Sequence, residues 1–273
     1  MAGLAAAGTA AAAPASPSQK VIDAHNHLHY HSRPDWADAD RSVIDAADKL
    51  HIDQLCCSIL PPERPTSLEG FQNCNRWLAE AVKRFPGRVL PYVFVNPAYG
   101  QAAVDEVRRY VEEHGFIGVK LYNDVLVTDP RMTPLLELTA KLRIPILHHS
   151  GHTTWLGAPQ PLISDAGRIA EAARNFPDVT FIVAHICGGG DWEWSIKAVR
   201  DAKSVYFDTS GSVADEGTVE MAVRTLGADR VLFACDLSMT VSVARVRGAD
   251  ISEPDRRKLF GENMQRILSR RRA

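Results

Sequence analysis

The chain has 273 residues, 45% hydrophobic and 23% charged, the balance of a soluble globular protein large enough for one sizeable core. A formal net charge of −2 with no extended basic run argues against a nucleic-acid surface, and no segment supplies the roughly 20 consecutive apolar residues of a membrane helix. The five cysteines (Cys56, Cys57, Cys74, Cys187 and Cys235) include no Cys-x-x-Cys pair, so reduced, buried thiols are expected instead of a disulfide framework.

Residues 1–19 are almost wholly small and include Pro14 and Pro17. Nothing in them can anchor a core, so a disordered Ala-rich tail is expected. The competing reading is the remnant of an export signal, although no basic segment precedes the apolar one. The protein is accordingly expected in the cytoplasm, or outside it if that second reading holds.

From residue 20 to 273 one pattern repeats. Eight short apolar runs read as strands: 21–26, 54–60, 88–95, 116–122, 144–150, 179–186, 204–210 and 230–236. Their starts lie 25 to 35 residues apart, the length of a strand, a helix and two loops. Helical patterns fill the gaps at 71–85, 101–114, 131–143, 164–176, 191–202 and 214–226, and a last one spans 253–269. In 101–114, Val104, Val107 and Val111 share one face and the remaining positions are mostly charged, which is one buried stripe at a 3.6-residue period. Val-, Ile- and Leu-rich strands alternating with helices imply a parallel sheet covered by helices. An open doubly wound sheet competes, but eight units and the lack of a Gly-rich phosphate loop after the first strand favour closure into a single (β/α)8 TIM barrel.

The unusual residues gather at the ends of these strands, where such barrels carry their sites. His25 and His27 end the first, Lys120 the fourth, His148 and His149 the fifth, His185 the sixth, Asp208 the seventh and Asp236 the eighth. His25-x-His27 on a strand sends both imidazoles to one face, because the side-chain period is two. One strand-end histidine alone is better read as a hydrogen-bonded core residue, but five converging groups read as a metal site. Imidazole with carboxylate suits Zn²⁺ best and also accepts Mn²⁺, Fe²⁺ or Co²⁺. Adjacent strand residues face opposite ways, so only one of His148 and His149 should reach the ion; His149 is nearer the strand end. Asp208 is positioned to orient a ligand histidine from behind. Tyr122 and Asn123 after strand four and His152 after strand five are candidate substrate contacts, with His29, His31 and Trp155 on the same rim. Asn263 is expected to hold the last helix against the barrel, and Arg270–Arg272 to form a solvated tail. Loops 28–41, 61–69, 122–130, 151–163 and 237–251 would set the choice of a small-molecule substrate.

The runs VIDAHNHL, GVKLY, PILHHSG, FIVAHICGG, YFDTSG, RVLFACD and LFGENMQRIL, in this order over residues 21–268, resemble the amidohydrolase superfamily and in particular its amidohydrolase-2 branch of TIM-barrel metal-dependent hydrolases. The resemblance implies that His25, His27 and Asp236 hold one metal. His149 and His185 would hold a second, or bind the first and its water, and the family register also puts the strand-five ligand on His149. Asp236 would take the proton of the attacking water, with His185 its partner in catalysis. In two-metal relatives the strand-four lysine is carboxylated and bridges the ions; in one-metal relatives it has no such role. Lys120 is therefore a bridge or a substrate-binding cation. The resemblance implies hydrolysis of a lactone, amide or related carboxylic derivative, and as the alternative a metal-dependent non-oxidative decarboxylation of an aromatic or muconate-type acid.

Overall fold

Each apolar run forms a strand, and each strand pairs with the next in sequence. The computed structural model describes residues 20–150, 161–186, 191–213 and 215–272. Its strands are β1 (Ile22–Leu28), β2 (Gln54–Ile59), β3 (Val89–Phe94), β4 (Gly118–Leu121), β5 (Pro145–His148), β6 (Thr180–Val183), β7 (Val205–Asp208) and β8 (Val231–Leu232). All pair in parallel, in the order β1 to β8. The ends meet: the Ala24 amide donates to the Phe233 carbonyl at 2.9 Å and the Asp236 amide to the His25 carbonyl at 2.8 Å. Closure in this order is the expected barrel and decides against the open sheet. The tail over residues 1–19 and the positions His152, Trp155 and Cys187 lie outside the described residues.

The helices are α1 (Trp36–Lys49), α2 (Leu68–Arg84), α3 (Gln101–His114), α4 (Thr133–Leu142), α5 (Ala166–Asn175), α6 (Trp192–Ala198), α7 (Thr218–Leu226), α8 (Met239–Gly248), α9 (Glu253–Arg257) and α10 (Asn263–Leu268). Two of them correct the sequence reading, which put loops at 28–41 and 237–251. The buried positions of α1 are Asp40, Val43, Ile44 and Ala47, and those of α8 are Met239, Ser242, Val243 and Val246. A buried carboxylate or hydroxyl interrupts the apolar stripe of each, as Asn75 and Glu106 do in α2 and α3, so the stripe alone does not separate these two segments from loop. Asp40 is retained inside because its carboxylate accepts the His29 amide at 2.6 Å. Among the described residues, no helix is long and apolar enough to cross a membrane.

The outer core lies between strands and helices. A smaller one fills the barrel with Ile22, Ala24, Cys56, Tyr92, Leu147, Ile182, Tyr206, Leu232 and Ala234, closed from below by Met264 and Ile267 of α10. The turn Lys258–Glu262 between α9 and α10 is π-helical. Gly261 in it lets the helix meet the start of β1: a Cβ there would sit 1.9 Å from the Lys20 carbonyl oxygen. Asn263 fastens this contact as expected, donating to the Ala228 and Val231 carbonyls at 2.7 and 2.8 Å. The four described cysteines are buried and unpaired.

Candidate metal centre

The site begins with an irregularity in β1. Ile22 and Asp23 pair with Gln54 and Leu55, but Asn26 and His27 pair with Cys57 and Ser58, so β1 carries one extra residue between Asp23 and Asn26. Regular alternation would put His25 and His27 on the face opposite Ile22 and Ala24. The bulge reverses the parity, and both imidazoles join Ala24 inside the barrel, at its upper end. Bulges re-aim side chains in this way beside active sites. Asp23 stabilises the irregularity: its carboxylate accepts the His25 and Cys235 amides at 3.1 and 2.9 Å and the Asn26 side chain at 2.6 Å. Complete burial pushes the Asp23 carboxyl up to about 7.

Above it six side chains converge. Asp236 Oδ1 lies 3.1 Å from His27 Nε2 and 3.6 Å from His25 Nε2, and Asp236 Oδ2 lies 3.5 Å from His185 Nδ1. His185 Nε2 is 3.0 Å from His149 Nδ1. Lys120 Nζ, fully buried, donates to His25 Nε2 at 2.9 Å. His25, His185 and Asp236 each offer a ligand atom within 4.8 Å of the others'. Of the two strand-five histidines, His149 faces this cluster. His148 turns its Nδ1 to the His149 carbonyl at 2.7 Å.

The hydrogen bonds behind the rings fix their tautomers. Asp208 Oδ2 accepts His25 Nδ1–H at 2.9 Å, leaving the His25 Nε2 lone pair facing the centre. His27 Nδ1 lies against the Ser58 carbonyl and hydroxyl at 3.3 and 3.1 Å. The Ser210 hydroxyl donates to Asp208 Oδ1 at 2.6 Å, so its oxygen accepts from His185 Nδ1–H at 2.9 Å. His185 Nε2 then accepts from His149 Nδ1–H. Burial lowers all four rings from the usual imidazole value, His25 to about 4, with Lys120 adding to the effect. Burial would raise Asp236, but His25, His27 and His185 outweigh it and hold this carboxyl well below the usual range. Asp208 is likewise drawn down to about 2 against its burial, first by its bond to His25. Burial lowers Lys120 to about 8, against the pull of Asp236 and Asp208. Neutral imidazoles around an ionised carboxylate are the protonation states that a divalent cation requires of its ligands.

The backbone is strained where the site is built. His185 (φ 70°), Asp236 (φ 45°) and Leu237 (φ 67°) occupy the left-handed region without being glycine. Such positions cost on the order of 1–3 kcal/mol each and cluster at functional sites. Asp208 Oδ1 holds the first through the His185 amide at 2.9 Å. The Asp236 amide bond to His25 holds the second.

A family model described as amidohydrolase matches residues 22–270. The chain belongs to the amidohydrolase-2 family. No curated protein matches its sequence. Several solved structures share the fold of this chain. The 2,6-dihydroxybenzoate decarboxylase from Rhizobium is 18% identical with a TM-score of 0.73, covering 92% of this chain and 99% of its own. A dihydroxybenzoic acid decarboxylase from Polaromonas sp. JS666, solved with bound manganese and the inhibitor 2-nitroresorcinol, is 19% identical with a TM-score of 0.73, covering 93% and 98%. The 4-oxalomesaconate hydratase from Rhodopseudomonas palustris is 15% identical with a TM-score of 0.68, covering 92% and 96%.

Beside the metal centre, Tyr122 stacks on His149 with centroids 5.1 Å apart, and Lys120 Nζ is 4.8 Å from the Tyr122 centroid. Asn123 directs its side-chain oxygen to the Ser164 amide at 3.1 Å, bracing the loop beyond. His29 bonds the Leu60 carbonyl at 3.1 Å, and His31 packs against Tyr30 and Trp36. Sequence reasoning missed Arg64, whose guanidinium lies 3.8 Å from the Tyr122 centroid at the mouth of the site. An exposed arginine in the β2–α2 loop carries no mark in the sequence. Ser58 and Ser210 were also missed. Ser58 lies in β2 and Ser210 two residues past the end of β7, each beside a rim histidine, and the period-two rule alone could have flagged Ser58 from Cys56.

Proposed function

We propose that this chain is a metal-dependent, non-oxidative carboxy-lyase for a small aromatic or unsaturated acid. The observation that carries the reading is the single ligand group: among the described residues, His25, His185 and Asp236 form the one cluster able to hold a metal, which suits a one-ion centre. The fold shared with several decarboxylases, one of them with manganese, supports it. The donor set fits a divalent transition ion, with zinc and manganese both compatible with imidazole and carboxylate. His25, His185 and Asp236 would hold it, with His27, 3.1 Å from Asp236, completing the set and His149 facing the substrate.

When bound, the ion would supply positive charge that orients the substrate and stabilises the electrons left on carbon as carbon dioxide departs. The protein's own groups do the rest. Arg64 at the mouth and Lys120 at the base both lie against the Tyr122 ring and supply cations for an anionic substrate. Arginine's planar fork matches a carboxylate bidentately. Tyr122 stacked on His149 provides a flat wall for a planar acid. The C–C bond to the carboxyl group breaks, its electron pair stays on the substrate carbon, and a proton takes its place. The His149 and His185 rings are neutral and have no proton to spare, so the Lys120 ammonium at the base of the site would deliver it and be recharged from solvent.

Hydrolysis is the second reading, favoured by one feature: the Asp236 side chain, ionised and 28% exposed, is open to a water whose proton it can accept. Two measurements separate the readings. Elemental analysis of wild type and Lys120→Ala gives the metal count, and a substrate panel of hydroxybenzoates, lactones and amides is scored for released carbon dioxide and for hydrolysis. One ion per chain, unchanged by the substitution, with carbon dioxide release supports the lyase. Two ions falling to one or none, with lactone or amide turnover, overturns it in favour of a carboxylated Lys120 bridge and a hydrolase.

A further inference from the structure

The opposite end of the barrel carries a second concentration of charge. A cavity of about 810 Å³ opens on the N-terminal face, beneath β5, β6 and β7. Four separate segments line it: Lys141 and Arg143 at the end of α4, Asp178 after α5, Lys203 before β7, and Arg270 and Arg272 after α10. Five cations thus face one carboxylate, in a chain whose 31 basic residues are outnumbered by 33 acidic ones.

These cations are not used for the fold. Among the described residues, the side chains of Lys141, Arg143, Arg270 and Arg272 make no ion pair or hydrogen bond, and Lys203 reaches only the Arg200 carbonyl, at 3.3 Å. Other exposed arginines, such as Arg41 and Arg224, are also unpaired among the described residues, so what marks this face is the gathering of five such cations around one cavity. The backbone, by contrast, is fixed. The Arg272 amide donates to the Leu142 carbonyl at 3.0 Å, which ties the basic C-terminal segment to the end of α4 and corrects the expectation of a solvated tail. Arg143 holds a left-handed conformation, φ 53°, that glycine or asparagine would adopt at lower cost. The side chain it presents there is a guanidinium at the rim of the cavity. Hydroxyl donors from Thr180, Ser204 and Tyr206 complete the lining.

We propose that this cavity is a binding site for a compact polyanion, a small molecule carrying two or more phosphate groups. Arginine forks and lysine ammonium groups are the side chains that phosphate recognition uses. The volume is that of a small-molecule pocket and too small for a folded partner. The site is separate from the metal centre, with the packed barrel interior between them, and it does not depend on the proposed reaction.

The test is isothermal titration of the full chain with inorganic tripolyphosphate at physiological salt. The wild type, Arg270→Ala/Arg272→Ala and Lys141→Ala/Lys203→Ala are compared with a charge-matched control, Arg41→Ala/Arg224→Ala, and circular dichroism is used to confirm folding. The expected result is one site per chain, weakened at least tenfold in either cavity variant and unchanged in the control. Having two cavity variants keeps the test decisive should the C-terminal one fail to fold. Equal weakening in the control, or no saturable binding, overturns the proposal and leaves diffuse surface charge. A single-stranded oligonucleotide bound where tripolyphosphate is not would also overturn it, in favour of a polymer surface.

Discussion

Replacing Asp208 by Asn exchanges one carboxylate oxygen for an amide group at the hub behind the site, with almost no change in shape. Asp208 Oδ1 accepts three donors, the His185 amide, the Ser210 amide and the Ser210 hydroxyl, at 2.9, 3.0 and 2.6 Å. The asparagine oxygen has to stay on that side, so its amide group turns to His25 Nδ1, which lies 2.9 Å from Oδ2 in the wild type. Two N–H groups cannot face each other there. His25 must accept at Nδ1 and carry its proton on Nε2, the atom that faces Asp236, and the bond that Lys120 donates there in the wild type is given up. A histidine with that tautomer has no lone pair for a cation. Loss of such an orienting partner costs about 10–100-fold in metal affinity, or about 1.4–2.7 kcal/mol. Stability of the metal-free fold should change by less than about 1 kcal/mol, since the three donors at Oδ1 remain satisfied. Calorimetric titration of Mn²⁺ into chelator-stripped protein measures the affinity, and nitrogen NMR of the histidines reads the tautomer. An Asn variant that binds within threefold of wild type, while His25→Ala does not bind, would refute the tautomer argument.

Four further outcomes follow from the same structure. Arg64→Ala should raise KM for an anionic substrate at least tenfold with kcat little changed, as expected when a charge-assisted bond of about 1.5–3 kcal/mol is lost; steady-state kinetics would expose the idea as wrong if kcat alone fell. Gly261→Ala forces a Cβ to 1.9 Å from the Lys20 carbonyl oxygen, backbone against backbone, and should destabilise by about 1–3 kcal/mol in urea unfolding. Tyr92→Phe removes the buried bond from its hydroxyl to the Ala24 carbonyl at 3.2 Å, and a loss of about 1 kcal/mol is expected by the same method. Cys56, Cys57, Cys74 and Cys235 are buried with thiols pushed up, Cys74 to about 12, so a disulfide reagent at pH 8 should label at most one thiol per native chain and all five after unfolding.

Most of the frame was legible because it rests on periodicity. Eight apolar runs at regular spacing can be closed into a barrel without knowing any contact, and the rule that function sits at the strand ends then brings His25, His27, Lys120, His149, His185 and Asp236 together. Alternation limited strand five to one of His148 and His149, nearness to the strand end chose His149, and its ring lies 3.0 Å from His185. The features that escaped depend on single residues whose type does not announce their role. The bulge in β1 is an insertion of one residue into a run that reads equally well as regular strand. Helices α1 and α8 bury Asp40 and Ser242 in their stripes. Arg64 and the cavity arginines are surface residues by composition, and only the fold brings them to a mouth or a pocket.

The bulge and the strained positions bear on one question, which is how a parallel barrel presents ligands from β1, β6 and β8 to a common point. Strand-end side chains on a regular barrel point in or out by parity, and His25, His185 and Asp236 come from strands whose ends differ in length and register. Here each is adjusted separately. An extra residue turns His25 inward, and left-handed backbone at His185 and Asp236 swings their side chains over the barrel mouth. Asp208 supports two of the three, through the His25 ring and the His185 amide, and Asp23 braces the first and third strands of the group through the His25 and Cys235 amides. Two fully buried carboxylates therefore decide whether the three candidate ligands meet. That is why a change behind the site, at Asp208, should cost metal affinity while leaving the barrel folded.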